Sequence, residues 1–342
     1  MEPFCFSEVS GARMSSMRTI SVPLCPECKA PGSILYQNLH DTLFNVPGTW
    51  TYKKCTNINC GILWPDPHPH TEDISKAYET YYTHSETSSK SFIQSVLALG
   101  QKILVQGVLF FTGLFWEKKK MDLLFLGELP PGHLLEVGCG DGLFLKRMQD
   151  HHWKVEGCDF DPRLAQEAER KYQISVRIGT LESLNYPSNC FDALVMNHVF
   201  EHVYDSHTLL KEIFRILKPG GRIVIVTPNA QSWGHAFFKE SWRGLEPPRH
   251  LKIFTPRALE SVVHNSGFII NSIKTTAVNA WLILSASAEV QRNQFLKTTY
   301  KKPNVIQILK ALGLQIIESL LNCFGNNRGE ECVLIAQKPI DP

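Results

Sequence analysis

Residues 134–142 read LLEVGCGDG, an apolar run that ends in an acid, Glu136, and then sets glycine at every second position: Gly138, Gly140 and Gly142. An apolar run closed by glycines reads as a buried strand entering a tight loop. Glycine reaches positive φ and lets the backbone approach a ligand closely. A phosphate-cradling dinucleotide loop carries G-x-G-x-x-G. Here the order is E-x-G-x-G-x-G, and the carboxylate would repel a pyrophosphate but attract an ammonium group. The loop therefore suits an amino-acid-bearing nucleoside.

The stretch after residue 133 has the pattern of a doubly wound α/β fold. Short apolar runs at 134–138, 154–158, 174–178, 192–196 and 222–226 alternate with helical stretches at 143–151, 162–172 and 207–217. Apolar strands separated by helices imply a parallel sheet covered on both faces. Asp161-Pro162 and Thr255-Pro256 read as helix starts, with a capping side chain followed by proline. KPGG at 218–221 reads as a helix stop. Strand-like 268–273 and 332–336 close the sheet, and a helical insert falls near 275–330, including 304–323. In such a sheet the ligand lies beyond the carboxyl ends of the strands. Asp159, in KVEGCDFDP, stands at the next strand end, about twenty residues after the loop. An acid there suits two ribose hydroxyls.

These segments resemble class I S-adenosylmethionine-dependent methyltransferases. LLEVGCGDG looks like their first motif, VEGCDFDP like their ribose-binding strand end, and YPSNCFDALVMNHVFEHV like the fourth strand and its loop. LLKEIFRILKPGGRIVIVTPN looks like the following helix and fifth strand. The resemblance spans about residues 120–275. It implies a Rossmann-like sheet that binds S-adenosylmethionine, with Glu136, Gly138, Gly140 and Gly142 around the methionine part and Asp159 on the ribose. It also implies Thr180 and Leu181 flanking the adenine and Asn197 lining the methionine side.

Ahead of this domain, CPEC at 25–28 and CTNINC at 55–60 supply four thiols as two close pairs, Cys25 with Cys28 and Cys55 with Cys60. Four thiolates suit a closed, structural Zn2+ site. The surroundings are rich in turn residues, as in a small metal-stapled module. Two knuckles around a hairpin-length insert resemble a zinc ribbon, although the second pair has four intervening residues. His68 and His70 lie in WPDPHPHTED, a proline-rich exit, and are not expected as ligands. A ribbon ahead of this core resembles a group of bacterial methyltransferases that includes sugar C-methyltransferases, whose linker leads to tyrosines near the substrate. Here those would be Tyr81 and Tyr82. The resulting division is a loose, disordered leader over 1–20, a zinc-ribbon module over 21–70, a helical linker or cap over 71–120 and the methyltransferase domain over 121–342.

Methyl transfer from a sulfonium to a hydroxyl or carbon acid requires alignment and a proton acceptor. Histidine is the natural base near neutral pH, and the candidates are His202, His250 and His198. The loop NHVFEHV resembles that of the quinone-pathway O-methyltransferases, which carry an acid where His198 stands. Trp242 and Arg243 are candidates for acceptor binding. Formal net charge is +2, from 35 basic and 33 acidic side chains, so no polyanion footprint appears. The expected acceptor is a small molecule, a sugar conjugate or a lipid-linked intermediate, with nucleic acid disfavoured. An RNA methyltransferase and a non-catalytic scaffold are the competing readings. Cysteine usage and the opening residues favour a reducing cytoplasm. Residues 91–116 are strongly apolar, but their cleanest stretch, 103–116, is shorter than the roughly 20 residues of a spanning helix. It reads as a packing helix. An interfacial helix, helped by EKKK at 117–120, would place the protein peripherally on the inner membrane face.

Overall fold

The computed structural model describes residues 17–78, 104–296, 305–322 and 327–340. Tyr81, Tyr82 and the first part of the 91–116 stretch lie outside the described residues.

The amino-terminal part is a small β structure. Strand β1 (Thr19–Ile20) precedes β2 (Gly32–Leu39), β3 (Trp50–Cys55), β4 (Leu63–Pro65) and β5 (His68–Pro69). Strands β2, β3 and β4 form one antiparallel sheet in that order, and β1 pairs with β5. Two expectations change here. Thr19–Ile20 is anchored rather than loose, because Thr19 pairs with Pro69 and Arg18 bonds Asp73 at 3.0 Å. The proline-rich 64–73 stretch is likewise built in, since Trp64 is buried and its indole N–H donates to the Val22 carbonyl at 2.8 Å.

The second part is a seven-stranded sheet. Its members are β6 (His133–Val137), β7 (Lys154–Asp159), β8 (Val176–Ile178), β9 (Phe191–Asn197), β10 (Leu217–Pro228), β11 (Ile269–Thr276) and β12 (Glu331–Gln337), in the order β11-β12-β10-β9-β6-β7-β8. Strands β8, β7, β6, β9 and β10 are parallel, and β12 enters antiparallel between β10 and β11. Successive side chains of a strand point to opposite faces. Leu134 accordingly joins Met121, Met148 and Trp153 on one side, while Leu135 joins Leu209, Ile213 and Leu259 on the other. The apolar runs of β6, β9 and β10 are thus strands buried on both faces, whereas the edge strand β8 is largely exposed.

Capping follows the residues. Asp161 accepts from the Arg163 N–H at 2.9 Å and Thr255 from the Ala258 N–H at 3.1 Å, which starts helices Pro162–Tyr172 and Pro256–Asn265. KPGG differs from its reading as a plain stop. Helix Ser206–Ile216 runs directly into β10, whose register breaks between Leu217 and Arg222, and the Gly220 N–H donates to the Lys338 carbonyl at 2.9 Å. Between β11 and β12 stand helices Ala280–Leu296 and Val305–Asn322.

The two parts share a core. Cys25, Cys55, Cys60, Ile62 and Trp64 belong to the same buried cluster as Leu135, Leu194 and Phe254. Leu63 pairs with Ile253, and the Thr255 hydroxyl donates to the Cys60 carbonyl at 2.7 Å.

Candidate active site and cysteine cluster

The glycine loop follows β6 at the carboxyl end of the sheet. Gly138 has φ +68°, and a Cβ there would lie 2.4 Å from the Val199 side chain, so only glycine fits. Gly140 has φ +54°, and a Cβ there would meet nothing within 4 Å. The missing side chain at Gly140 leaves open space beside the loop. Gly142 caps helix Leu143–Asp150 in the left-handed region.

Glu136 is buried, and its Oε2 has no hydrogen-bond partner among the described residues. Burial, reinforced by the charges of Asp159 and Asp141, pushes its carboxyl well above the usual range. An unpartnered buried acid costs free energy unless a cation or donor completes it. Asp159, at the end of β7, accepts from the Gly140 N–H at 3.0 Å through Oδ2 and from the Asp161 N–H at 2.9 Å through Oδ1. Those bonds fix both oxygens while each keeps a lone pair for a hydroxyl donor. Burial raises this acid too. Thr180 precedes the short helical turn Leu181–Leu184 after β8, with Leu181 buried beneath, and the Gly179 N–H donates to the Asp159 carbonyl at 2.9 Å. Asn197 is the exposed last residue of β9. The donor set suits S-adenosylmethionine: an acid without a partner for the ammonium group, a side-chain-free loop, and a fixed acid at the ribose position.

The three candidate histidines have different surroundings. His198 sits at φ 55°, and its Nε2 lies 2.6 Å from Glu331 Oε1 while its Nδ1 lies 3.3 Å from Glu201 Oε1. Burial opposes the charged form, but the bonds to Glu201 and Glu331 prevail and push its pKa up to about 10. An imidazolium that stays charged at neutral pH is a poor proton acceptor. His250 is buried, and its Nδ1–H donates to the Gly244 carbonyl at 2.7 Å while Nε2 lies 3.3 Å from Glu246. Burial lowers it to about 4. His202 donates from Nδ1 to the Arg249 carbonyl at 2.9 Å, which leaves Nε2 as the lone-pair nitrogen, without a hydrogen-bond partner among the described residues. Burial, then the neighbouring His250, lowers His202 to about 3. Its ring centroid lies 4.7 Å from that of His250.

Several contributors were not legible in the sequence. The Tyr78 hydroxyl lies 3.0 Å from His202 Nδ1, and its ring packs 5.1 Å from Phe160, next to Asp159. Glu201 is fully buried, and its Oε2 accepts from the Thr227 hydroxyl at 2.9 Å. Neighbouring His198, His202 and His250 outweigh the effect of burial on Glu201 and hold it down at about 2. Ligand atoms of Glu201, His202 and His250 lie within 4.8 Å of one another. Glu331 comes from the far end of the chain, and no local pattern marks it. Trp242 and Arg243 are drawn inward: the Trp242 indole N–H donates to Glu330 at 2.7 Å, and Arg243 pairs with Glu246.

The four cysteines converge. Cys25 and Cys60 sulfurs are 3.7 Å apart and those of Cys28 and Cys55 3.4 Å, and all four lie within 4.8 Å of one another. Those separations are far beyond a disulfide bond of about 2.05 Å. They match the edge of a ZnS4 tetrahedron, about 3.8 Å for Zn–S bonds of about 2.3 Å. The donor set fits zinc and leaves no open coordination position. His68 pairs in β5 and takes no part in the cluster.

Residues 115–273 match the family model described as a methyltransferase domain. The chain is 34% identical over 97 residues to a probable S-adenosylmethionine-dependent methyltransferase of Mycolicibacterium smegmatis, covering 28% of this chain and 38% of that protein. It is 29% identical over 167 residues to the mitochondrial ubiquinone biosynthesis O-methyltransferase of Rattus norvegicus, covering 43% of this chain and 47% of that protein. The chain thus spans less than half the length of these two relatives. Among solved structures, phosphoethanolamine N-methyltransferase 2 of Haemonchus contortus with bound S-adenosyl-L-methionine has a TM-score of 0.47 at 17% identity, covering 81% of this chain and 63% of that one. The chain thus carries a Rossmann-like methyltransferase sheet of seven strands with an acid-flanked glycine loop, and residues 115–273 of it match the methyltransferase domain. Joined to it in this chain is a small β structure with four clustered cysteines.

Proposed function

We propose that the protein transfers a methyl group from S-adenosylmethionine to an oxygen or carbon of a small molecule, sugar conjugate or lipid-linked acceptor. The observation that carries this reading is the buried Oε2 of Glu136, unpartnered among the described residues, in the strand that leads into the open glycine loop. The O-methyltransferase relative favours oxygen as the acceptor atom. When bound, S-adenosylmethionine supplies an electrophilic methyl group on a sulfonium.

The chain's residues divide the work. Glu136 holds the ammonium group, Gly138, Gly140 and Gly142 line the methionine part, and Asp159 holds the ribose. Thr180 and Leu181 flank the adenine, and Asn197 closes the methionine side. His202 is the base. The Arg249 carbonyl fixes its tautomer, so Nε2 accepts the acceptor's proton, and the buried Glu201 carboxylate stabilises the imidazolium that results. His250 packs on His202 and positions it. His198, tied to Glu201 and Glu331, holds the Glu201 carboxylate rather than taking a proton. Zinc on Cys25, Cys28, Cys55 and Cys60 is structural, holding the module that backs the 243–253 loop.

The test is methyl transfer from radiolabelled S-adenosylmethionine into a cell extract separated into RNA, protein, lipid and polar-metabolite fractions. Label in the lipid or polar-metabolite fraction is expected. Label confined to RNA, or none with cofactor bound, contradicts the reading.

A further inference from the structure

An aromatic face lies on the helices that precede β6. Before β6 the chain forms a helix over 104–111 and then helix Phe115–Asp122. One side of this pair is anchored: Leu109 and Met121 are buried, and Leu114 packs against two core clusters. The other side carries Phe110, Phe111 and Trp116, exposed at 69%, 89% and 68%. These rings form one array through Phe115, with centroid separations of 5.9, 6.4 and 5.5 Å. A cation sits on it, the Lys119 Nζ being 4.8 Å from both the Phe115 and Trp116 rings.

The surrounding charge is positive. Lys118, Lys119, Lys120, Lys274 and Arg147 stand against Glu117, Asp122 and Glu128 across this helix and the elements that meet it. The pairs among them are partly or fully exposed, so headgroup phosphates can replace the acids at little cost. No helix among the described residues is long and apolar enough to cross a membrane. Exposed aromatic rings bordered by lysines have the composition of a segment that lies in the interface of an anionic bilayer.

The face is also joined to the site. Glu117 pairs with Lys274 of β11 at 3.5 Å, and two residues on, Thr276 is in register with Glu331, which holds His198. We propose that Phe110, Phe111, Trp116 and the lysines at 118–120 dock the protein on an anionic lipid surface, which turns the carboxyl end of the sheet toward an acceptor carried in that bilayer. The acceptor half of this proposal rests on the methyltransferase reading. The docking half does not.

The full chain is sedimented with vesicles of phosphatidylcholine alone and of phosphatidylcholine mixed with phosphatidylglycerol. Binding to the mixed vesicles is expected, weakened by salt. It should fall at least about 100-fold in Phe110→Ser/Phe111→Ser/Trp116→Ser, given the transfer free energy of three aromatic side chains. S-adenosylmethionine affinity, measured by calorimetry, should be unchanged in that variant, which shows it folded. Absence of binding to the mixed vesicles overturns the proposal. So does a dimer in sedimentation velocity that the triple variant dissociates, because the face would then be covered by a second copy. A wild-type chain that binds vesicles but not S-adenosylmethionine removes the methyltransferase reading and leaves the docking face standing.

Discussion

Glu27, between the first two cysteines of the cluster, forms a 2.8 Å ion pair with Lys252 in the loop that carries His250. Both side chains are almost fully buried, and Lys252 also reaches Ser206. The pair connects the cysteine knuckle to the acceptor side of the domain. Removing one partner of such a pair leaves a buried charge and costs about 3–5 kcal/mol. Glu27→Gln and Lys252→Met are each expected to lower unfolding free energy by that order. The double variant should lose less than the sum. Additive losses in denaturant titrations would show the two side chains to be independent.

The cysteine cluster makes a related prediction. Protein denatured in the presence of a chromogenic chelator should release one zinc per chain, and Cys25→Ser/Cys60→Ser should release none. Structural zinc is worth on the order of 10 kcal/mol in small modules, so metal removal should lower the melting temperature sharply. Cofactor affinity should survive mild chelation, since the contacts of the cysteine module fall on the 245–255 segment. Zinc-free protein of unchanged stability would remove the structural role.

His202 governs the acid side of the rate profile. With its pKa depressed to about 3, it is neutral and competent across the pH range in which an ordinary histidine titrates. The profile of kcat/KM should show no acidic limb near pH 6.5. His202→Ala should lower kcat about 10²–10⁴-fold, the usual contribution of a positioned base. An inflection near 6.5 that disappears in His202→Ala would show the buried, low-pKa environment to be wrong.

His198 and Glu331 predict an alkaline effect on stability. The folded pKa of His198, about 10, lies above its unfolded value, so the folded state binds the extra proton. This contribution is fully present below the unfolded pKa of about 6.5 and is lost as pH rises through the folded value. Wild-type stability should therefore decline between those limits, and Glu331→Gln should flatten the slope. An equal slope in the two proteins, by denaturant titration, would contradict the pairing.

What the sequence disclosed depended on range. The sheet strands could be read because each is a short apolar run bounded by its own turn signals, and Asp161 and Thr255 because a cap acts on residues two or three positions away. Glu136 stood out because its chemistry clashes with its position in an apolar run. Glu331 did not, because its partner His198 is 133 residues distant and only the antiparallel insertion of β12 joins them. The histidines were equivalent as letters in a loop, and burial with hydrogen bonding separates them. Trp242 and Arg243 looked like exposed acceptor contacts because their partners Glu330 and Glu246 become neighbours only in the folded loop. Tyr78 lies just ahead of Tyr81 and Tyr82, and only the packed position of the linker brings it to His202.

The most direct measurement is a calorimetric titration of S-adenosylmethionine, run in two buffers of different ionisation enthalpy. Burial raises the Glu136 carboxyl in the free protein, and a cationic amino group lowers it again, so binding should release protons and tighten as pH rises. Glu136→Gln should bind more weakly and release no proton through this group. Asp159→Ala should lose about 10- to 100-fold in affinity, as expected for hydroxyl bonds to a charged acceptor. Absence of binding in the wild type, or full affinity in both variants, would contradict the cofactor site on which the account rests.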